Sequence, residues 1–255
     1  MRAKAVLLDI DGVLFFNGEP IPGAAEAIRG LQERNLPFKL VTNITRHTRA
    51  AIAGRLREAE IVVEPEVIHT ALAAAAETLR SRNAKPLYLI TPIALADLPP
   101  EASEDEADTV FVGDVGKDFG MDDLNRAFRV LHRGASLLAG HKNRFWITHG
   151  LPTVDAGALV AALEYCSGVE AELIGKPEPG FFRTAARSLL PEGATLGDAV
   201  MVGDRWESDV EGARAAGLRG VLVRTGLYQE GDETNGSPDG VLDSIAGLMD
   251  WLEGD

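Results

Sequence analysis

Short apolar runs that end on a polar residue recur along this chain, separated by stretches in which apolar positions return every three or four residues. The first run, Ala5-Val6-Leu7-Leu8, ends on Asp9. An unbroken apolar run of this length reads as a strand buried on both faces, as in a parallel sheet. Residues 24–34 then read as a helix, 37–42 as a strand and 46–58 as a helix, the βαβα order of a parallel sheet with helices on its faces. The same rhythm returns near the C-terminus, with strands at 171–174, 199–203 and 220–223 and helices at 180–190, 207–216 and 242–252. Between these blocks lies a segment with its own rhythm: helices at 70–82, 122–131 and 156–165, and strands at 86–90, 109–112 and 136–139. The expectation is an α/β protein whose doubly wound parallel sheet comes from residues 1–62 and 172–255, with a separate α/β domain inserted at 63–171.

Composition narrows the function classes. In 255 residues, 25 Lys and Arg face 39 Asp and Glu, a formal charge of -14. That balance opposes non-specific binding to nucleic acid or to an anionic membrane surface. Any anionic substrate must therefore be met by locally placed cations. The single cysteine, Cys166, can form no intrachain disulfide, fits a reducing compartment and is expected as a small buried residue. No apolar run reaches the roughly 18 residues of a membrane span, and Met1-Arg2-Ala3-Lys4 leads straight into a strand. A cytoplasmic protein is the expectation.

Candidate chemistry sits where the apolar runs end. Asp9 and Asp11 close the first strand, and in a strand residues i and i+2 point to one face. Two carboxylates so placed repel unless a cation or a shared proton relieves them, which implies a metal. A calcium loop would need further oxygen ligands and a Glu at its twelfth position, whereas Phe15, Phe16 and Asn17 follow here. The strand Leu40-Val41 ends on Thr42-Asn43, whose hydroxyl and neighbouring N–H groups suit a phosphate oxygen or else cap the next helix. Lys176, in Gly175-Lys176-Pro177, stands at the mouth of another helix and could neutralise a carboxylate and a phosphoryl group together. Finally, Met201-Val202-Gly203 ends on Asp204, with Asp209 five residues on, an oxygen-rich set that suits magnesium.

Taken in order, Asp9-x-Asp11, Thr42, Lys176 and Asp204…Asp209 resemble the four motifs of the haloacid dehalogenase superfamily. The insert is similar to the C2 cap type on a Rossmann-like core, and Asp11-Gly12-Val13-Leu14, Val41-Thr42-Asn43, Val112-Gly113-Asp114 and Gly175-Lys176-Pro177-Glu178-Pro179 resemble the NagD-like subfamily. Residues 138–146 and 158–165 also resemble the phospholysine phosphohistidine inorganic pyrophosphate phosphatase branch. The resemblance implies a phosphatase in which Asp9 is the nucleophile and Asp11 the acid/base. It also implies Mg2+ at Asp9, Asp204 and the Asp11 carbonyl, with Thr42, Lys176, Gly12 and Asn43 around the phosphoryl group and Asp209 orienting Lys176. The substrate would be a small phosphorylated metabolite, with phosphoanhydrides or P–N bonds as the alternative and a catalytically silent binding protein as the reading from another class. The insert should select the substrate. Lys142 and Arg144, in Gly140-His141-Lys142-Asn143-Arg144-Phe145-Trp146, could hold a second anionic group or form a solvated basic loop. Asp155 could meet a sugar or amine, or cap the helix that follows it. Related caps also leave room for a homodimer. Two departures stand out: Ile44 where a second Asn is common, and Thr153-Val154-Asp155-Ala156-Gly157 where relatives carry a Pro-Gly element. The other histidines, His47, His69, His132 and His149, show no zinc spacing.

Overall fold

The computed structural model describes residues 3–148, 150–234 and 236–254; Met1, Arg2, His149, Asn235 and Asp255 lie outside the described residues. The chain runs from β1 (Ala5–Asp9) through a small hairpin, β2 (Phe15–Phe16) and β3 (Glu19–Pro20), to α1 (Ala24–Glu33), β4 (Phe38–Thr42), α2 (Arg49–Glu58) and β5 (Ile68–Thr70). There follow α3 (Ala71–Ser81), β6 (Pro86–Leu89), β7 (Thr109–Val112), α4 (Met121–His132), β8 (Ser136–Ala139), β9 (Phe145–Thr148), β10 (Leu151–Val154), α5 (Ala156–Ser167) and β11 (Glu172–Leu173). The chain closes with α6 (Pro179–Arg187), β12 (Ala199–Gly203), a π-helical turn (Trp206–Glu211) that leads into α7 (Gly212–Ala215), β13 (Arg219–Val223), β14 (Gly240–Leu242) and α8 (Leu248–Gly254). Among the described residues no helix is long and apolar enough to cross a membrane.

Contacts divide the chain into two units, one of Met1–Thr42, Arg49–His69 and Lys176–Asp255, the other of Asn43–Thr48 and Thr70–Gly175. The first unit carries a six-stranded parallel sheet in the order β14-β13-β12-β1-β4-β5. Ile68–Thr70, a strand unforeseen in the sequence, takes the sheet edge beside β4. In β1 every residue from Ala5 to Leu8 is fully buried, which is why an unbroken apolar run rather than an alternating one encodes it.

The second unit holds a four-stranded parallel sheet, β11-β8-β7-β6, and the antiparallel hairpin β9-β10. Alternation along β7 sorts its side chains to two cores. Val110 and Val112 pack with Leu87, Leu89, Leu137 and the inner faces of α4 and α5, whereas Phe111 joins Tyr88, Leu138 and the Ala/Leu face of α3.

Three expectations change. The helix expected from residue 46 begins at Arg49, because Thr45 N–H and Oγ1 are instead bonded to Asp114. Leu242 ends a strand rather than starting the last helix. Cys166 is exposed, since the buried stripe of α5 is Ala156, Val160 and Leu163 and the cysteine lies past it in the last turn.

Candidate active site

Parallel pairing sets the strand ends of the first unit side by side. Asp9 ends β1 opposite Val41 of β4, so Thr42 is the next residue along the neighbouring strand end, and it is buried. On the other side β1 pairs with β12, which delivers Asp204 immediately after Gly203. This edge, outside the carboxyl ends of parallel strands, is where open α/β sheets bind ligands.

The charges here are few and close. Lys176 Nζ lies 2.7 Å from Asp9 Oδ2 and 2.6 Å from Asp209 Oδ1. The other oxygen of Asp9 accepts the N–H of Ile10 at 2.7 Å, and the other oxygen of Asp209 accepts that of Arg205 at 3.1 Å. Asp204 Oδ2 accepts the N–H of Leu227 at 2.6 Å, but Asp204 Oδ1, although buried, has no hydrogen-bond partner among the described residues. One carboxylate oxygen from each of Asp9, Asp204 and Asp209 falls within 4.8 Å of the others.

Three buried carboxylates gather around the ammonium of Lys176, with Arg205 also acting on Asp204, so negative charge is in excess among them. Burial drives the Asp9 carboxyl well above its usual range, with Asp209 and Asp204 adding to the rise and Lys176 opposing it. Burial and then Asp209 push Asp204 up to about 7 against the Leu227 N–H. Lys176 moves the other way from what burial demands: Asp209 and Asp9 outweigh desolvation and hold it more basic than usual. A divalent cation would supply the missing charge, and the orphaned Oδ1 of Asp204 is the acceptor it would meet.

Local backbone geometry makes room for Asp204. Gly12 has φ +91 and a Cβ there would lie 2.1 Å from Asp204 Oδ2; Gly226 has φ +63 and its Cβ would lie 2.2 Å from the same atom. Glycine is favoured at these positive angles, and at both positions it is the missing Cβ that admits the carboxylate. Thr225 Oγ1 donates to the Gly12 carbonyl at 2.5 Å and ties the two loops together. Thr225, Gly226 and Leu227 are not among the residues that the sequence motifs single out. Their signal is a Thr-Gly pair just past an apolar strand, the pattern that marked the other motifs.

Asp11 stands apart from its partner. β1 stops at Asp9 and Asp11 lies in the following turn, exposed, so the two acids do not share a strand face as alternation suggested. Asp209 is carried by the π-helical turn, buried completely; such turns recur at functional sites.

The remaining expected residues belong to the second unit. Asn43 is buried there. Lys142 Nζ is 2.7 Å from Glu164 Oε1, and Arg144 is exposed. Asp155 is buried and accepts the Ala156 N–H at 2.8 Å as the cap of α5.

With this geometry in hand, residues 6–98 match the family model for haloacid dehalogenase-like hydrolases and residues 173–248 one described as HAD-hydrolase-like. The chain is 36% identical over 237 residues, 92% of this chain and 89% of the relative, to haloacid dehalogenase-like hydrolase domain-containing protein 2 of Rattus norvegicus. It is 33% identical over 262 residues, 98% of this chain and 94% of the relative, to the phospholysine phosphohistidine inorganic pyrophosphate phosphatase of Xenopus laevis. Among solved structures it is similar to NagD from E. coli K-12, with a TM-score of 0.86 at 28% identity, covering 96% of this chain and 98% of that one.

Proposed function

This chain belongs to the haloacid dehalogenase-like hydrolases, as a phosphatase of the NagD-like subfamily, and from that premise we propose that it is a magnesium-dependent phosphatase of a small phosphorylated metabolite. The observation that carries the proposal is the buried trio Asp9, Asp204 and Asp209, with Lys176 within 2.7 Å of two of them and one Asp204 oxygen without a hydrogen-bond partner among the described residues.

Asp9 attacks phosphorus through a carboxylate oxygen, and the bond from phosphorus to the leaving oxygen breaks with its electron pair on that oxygen. Asp11, exposed beside the site, donates a proton to the leaving group and then takes one from the water that opens the aspartyl-phosphate, restoring Asp9 and releasing phosphate. Lys176 faces Asp9 and balances charge on the phosphoryl oxygens; Thr42 and the N–H groups near Gly12 and Asn43 serve the same oxygens. Magnesium, held by Asp9, Asp204 and the Asp11 carbonyl, would neutralise the phosphoryl group and so permit approach of an anionic nucleophile. Asp209 keeps Lys176 in place. Substrate choice falls to the second unit, with Lys142, Arg144 and Asp155 among its candidates.

Similarity to the Xenopus laevis enzyme, named for phospholysine, phosphohistidine and pyrophosphate, supports phosphoanhydrides and P–N bonds as the second reading. A panel of phosphomonoesters, pyrophosphate and phospholysine, each with magnesium, separates the two. Release of phosphate from none of them, or an Asp9→Asn variant as active as the parent, overturns the proposal.

A further inference from the structure

Asp11 stands in an exposed turn, and the residue after it is glycine for a reason that also loosens that turn. Gly12 has φ +91, and a Cβ there would meet the carboxylate of Asp204. Glycine also has the widest backbone freedom of any residue, which Asp11 would inherit. Two bonds limit it. The N–H of Gly12 donates to the Phe15 carbonyl at 2.6 Å and closes the turn on itself. The Gly12 carbonyl accepts Thr225 Oγ1 at 2.5 Å and fixes the turn to the loop after β13. That loop is itself anchored. Tyr228 N–H donates to the Thr225 carbonyl at 3.2 Å, and Leu227 N–H to Asp204 Oδ2 at 2.6 Å. Tyr228 packs on Trp206, Val210 and Leu222, and its O–H donates to Glu233 Oε2 at 2.6 Å. All of these residues belong to the first unit.

We propose that Thr225 is a positioning residue for proton transfer: by holding the Gly12 carbonyl it holds the turn that carries Asp11, and so the acid that meets the leaving oxygen. This rests on the phosphatase reading, in which Asp11 gives its proton to that oxygen as the bond to phosphorus breaks. A general acid acts only from within hydrogen-bond reach of its target, so a turn that wanders loses rate without any change to the nucleophile. Threonine suits the task, because its branched Cβ restricts χ1 and keeps the hydroxyl on one bearing. The role is separable from that of the neighbouring backbone. Thr225 Oγ1 acts on the turn of Asp11, whereas the Leu227 N–H acts on Asp204, so a change confined to the hydroxyl leaves the donor to Asp204 in place.

The test uses two aryl phosphates of similar size whose leaving groups differ in their need for a proton: p-nitrophenolate leaves readily as the anion, phenolate far less so. Their kcat/KM values report the step that breaks the bond to the leaving group, ahead of hydrolysis of the aspartyl-phosphate. Thr225→Val removes the hydroxyl and keeps the shape. At saturating magnesium it is expected to lower kcat/KM by roughly tenfold or more for phenyl phosphate and by no more than about threefold for p-nitrophenyl phosphate, part of the roughly 10²–10⁴-fold that a general acid supplies. Thr225→Ser, which keeps a hydroxyl donor, should return the ratio of the two to within about twofold of the parent. Asp11→Asn should show the same selectivity, and the double variant of Asp11→Asn with Thr225→Val should lose little more than Asp11→Asn alone. If Thr225→Val does not fold, Thr225→Ala carries the same comparison. Equal losses with both esters, or losses that multiply in the double variant, overturn the inference while the phosphatase reading stands. An unselective loss in Asp11→Asn removes the acid and this role with it. A parent that releases no phosphate even from p-nitrophenyl phosphate overturns both.

Discussion

The ammonium of Lys176 lies 2.6 Å from Oδ1 of Asp209, a carboxylate with no exposed surface. Its other oxygen accepts the Arg205 N–H at 3.1 Å, so this carboxylate ties Lys176 to the turn after β12, and without its charge Lys176 keeps Asp9 alone; hydrogen bonds to a charged group are worth about 1.5–3 kcal/mol each. Asp209→Asn is expected to lower kcat by roughly 10²-fold through a misplaced Lys176 and to reduce the unfolding free energy measured in urea. Parent-like values of both would remove Asp209 from the site.

Asp9→Asn should separate chemistry from stability. Loss of the nucleophile is expected to lower kcat/KM by on the order of 10⁴-fold. Burial and the neighbouring carboxylates disfavour the charged form of Asp9, so the neutral variant should melt no lower than the parent in chelator. A clear drop in the chelated melting temperature would contradict that account of the cluster.

Removal of metal tests the excess of negative charge among Asp9, Asp204 and Asp209 directly. A chelator should abolish phosphate release and magnesium should restore it. Magnesium at 100 times its dissociation constant should stabilise the parent by about 2.7 kcal/mol, seen as a higher melting temperature, and Asp204→Asn should lose most of that gain. Undiminished activity in chelator would rule out the metal role.

Two glycines leave space for Asp204. Gly12→Ala and Gly226→Ala each put a methyl about 2 Å from its carboxylate at a positive φ, so both should lose most activity and the magnesium-dependent rise in melting temperature. A fully active Gly226→Ala enzyme would show that the loop after β13 does not shape the site.

His69 gives a pH dependence with a definite sign. Its ring lies 4.5 Å from that of Phe181, and its buried Nε2 has no hydrogen-bond partner among the described residues. Burial, then Lys39 and Arg49, lower its pKa to about 4. Between that value and the unfolded value near 6.5 the unfolded chain binds more protons. Its contribution is therefore complete above about 6.5 and is lost as pH falls toward 4, by up to about 3 kcal/mol. Urea unfolding across this window should show a steeper acid loss in the parent than in His69→Phe; identical slopes would exclude the histidine.

Much of this site was legible because each key residue terminates an apolar run. Asp9, Thr42 and Asp204 sit at the ends of β1, β4 and β12, and register in a parallel sheet turns three distant runs into one edge. What sequence did not show depends on partners far along the chain. Asp114, 69 residues from Thr45, keeps residues 43–48 out of a helix although their composition permits one. Asp155 reads equally as a binding residue or a cap until the Ala156 N–H is seen on it. Lys142 looks like a free cation until Glu164 is placed beside it.

The segment Asn43–Thr48 has a consequence for how this protein could be re-engineered. It packs with Thr70–Gly175 although residues of the other unit flank it on both sides. An exchange of residues 70–175 alone for the equivalent stretch of a relative would carry Asp114 away from Thr45 and Arg46. Each buried group so orphaned would cost about 1–3 kcal/mol. The smallest transferable cassette is thus discontinuous: two stretches of chain, 43–48 and 70–175, that must travel together.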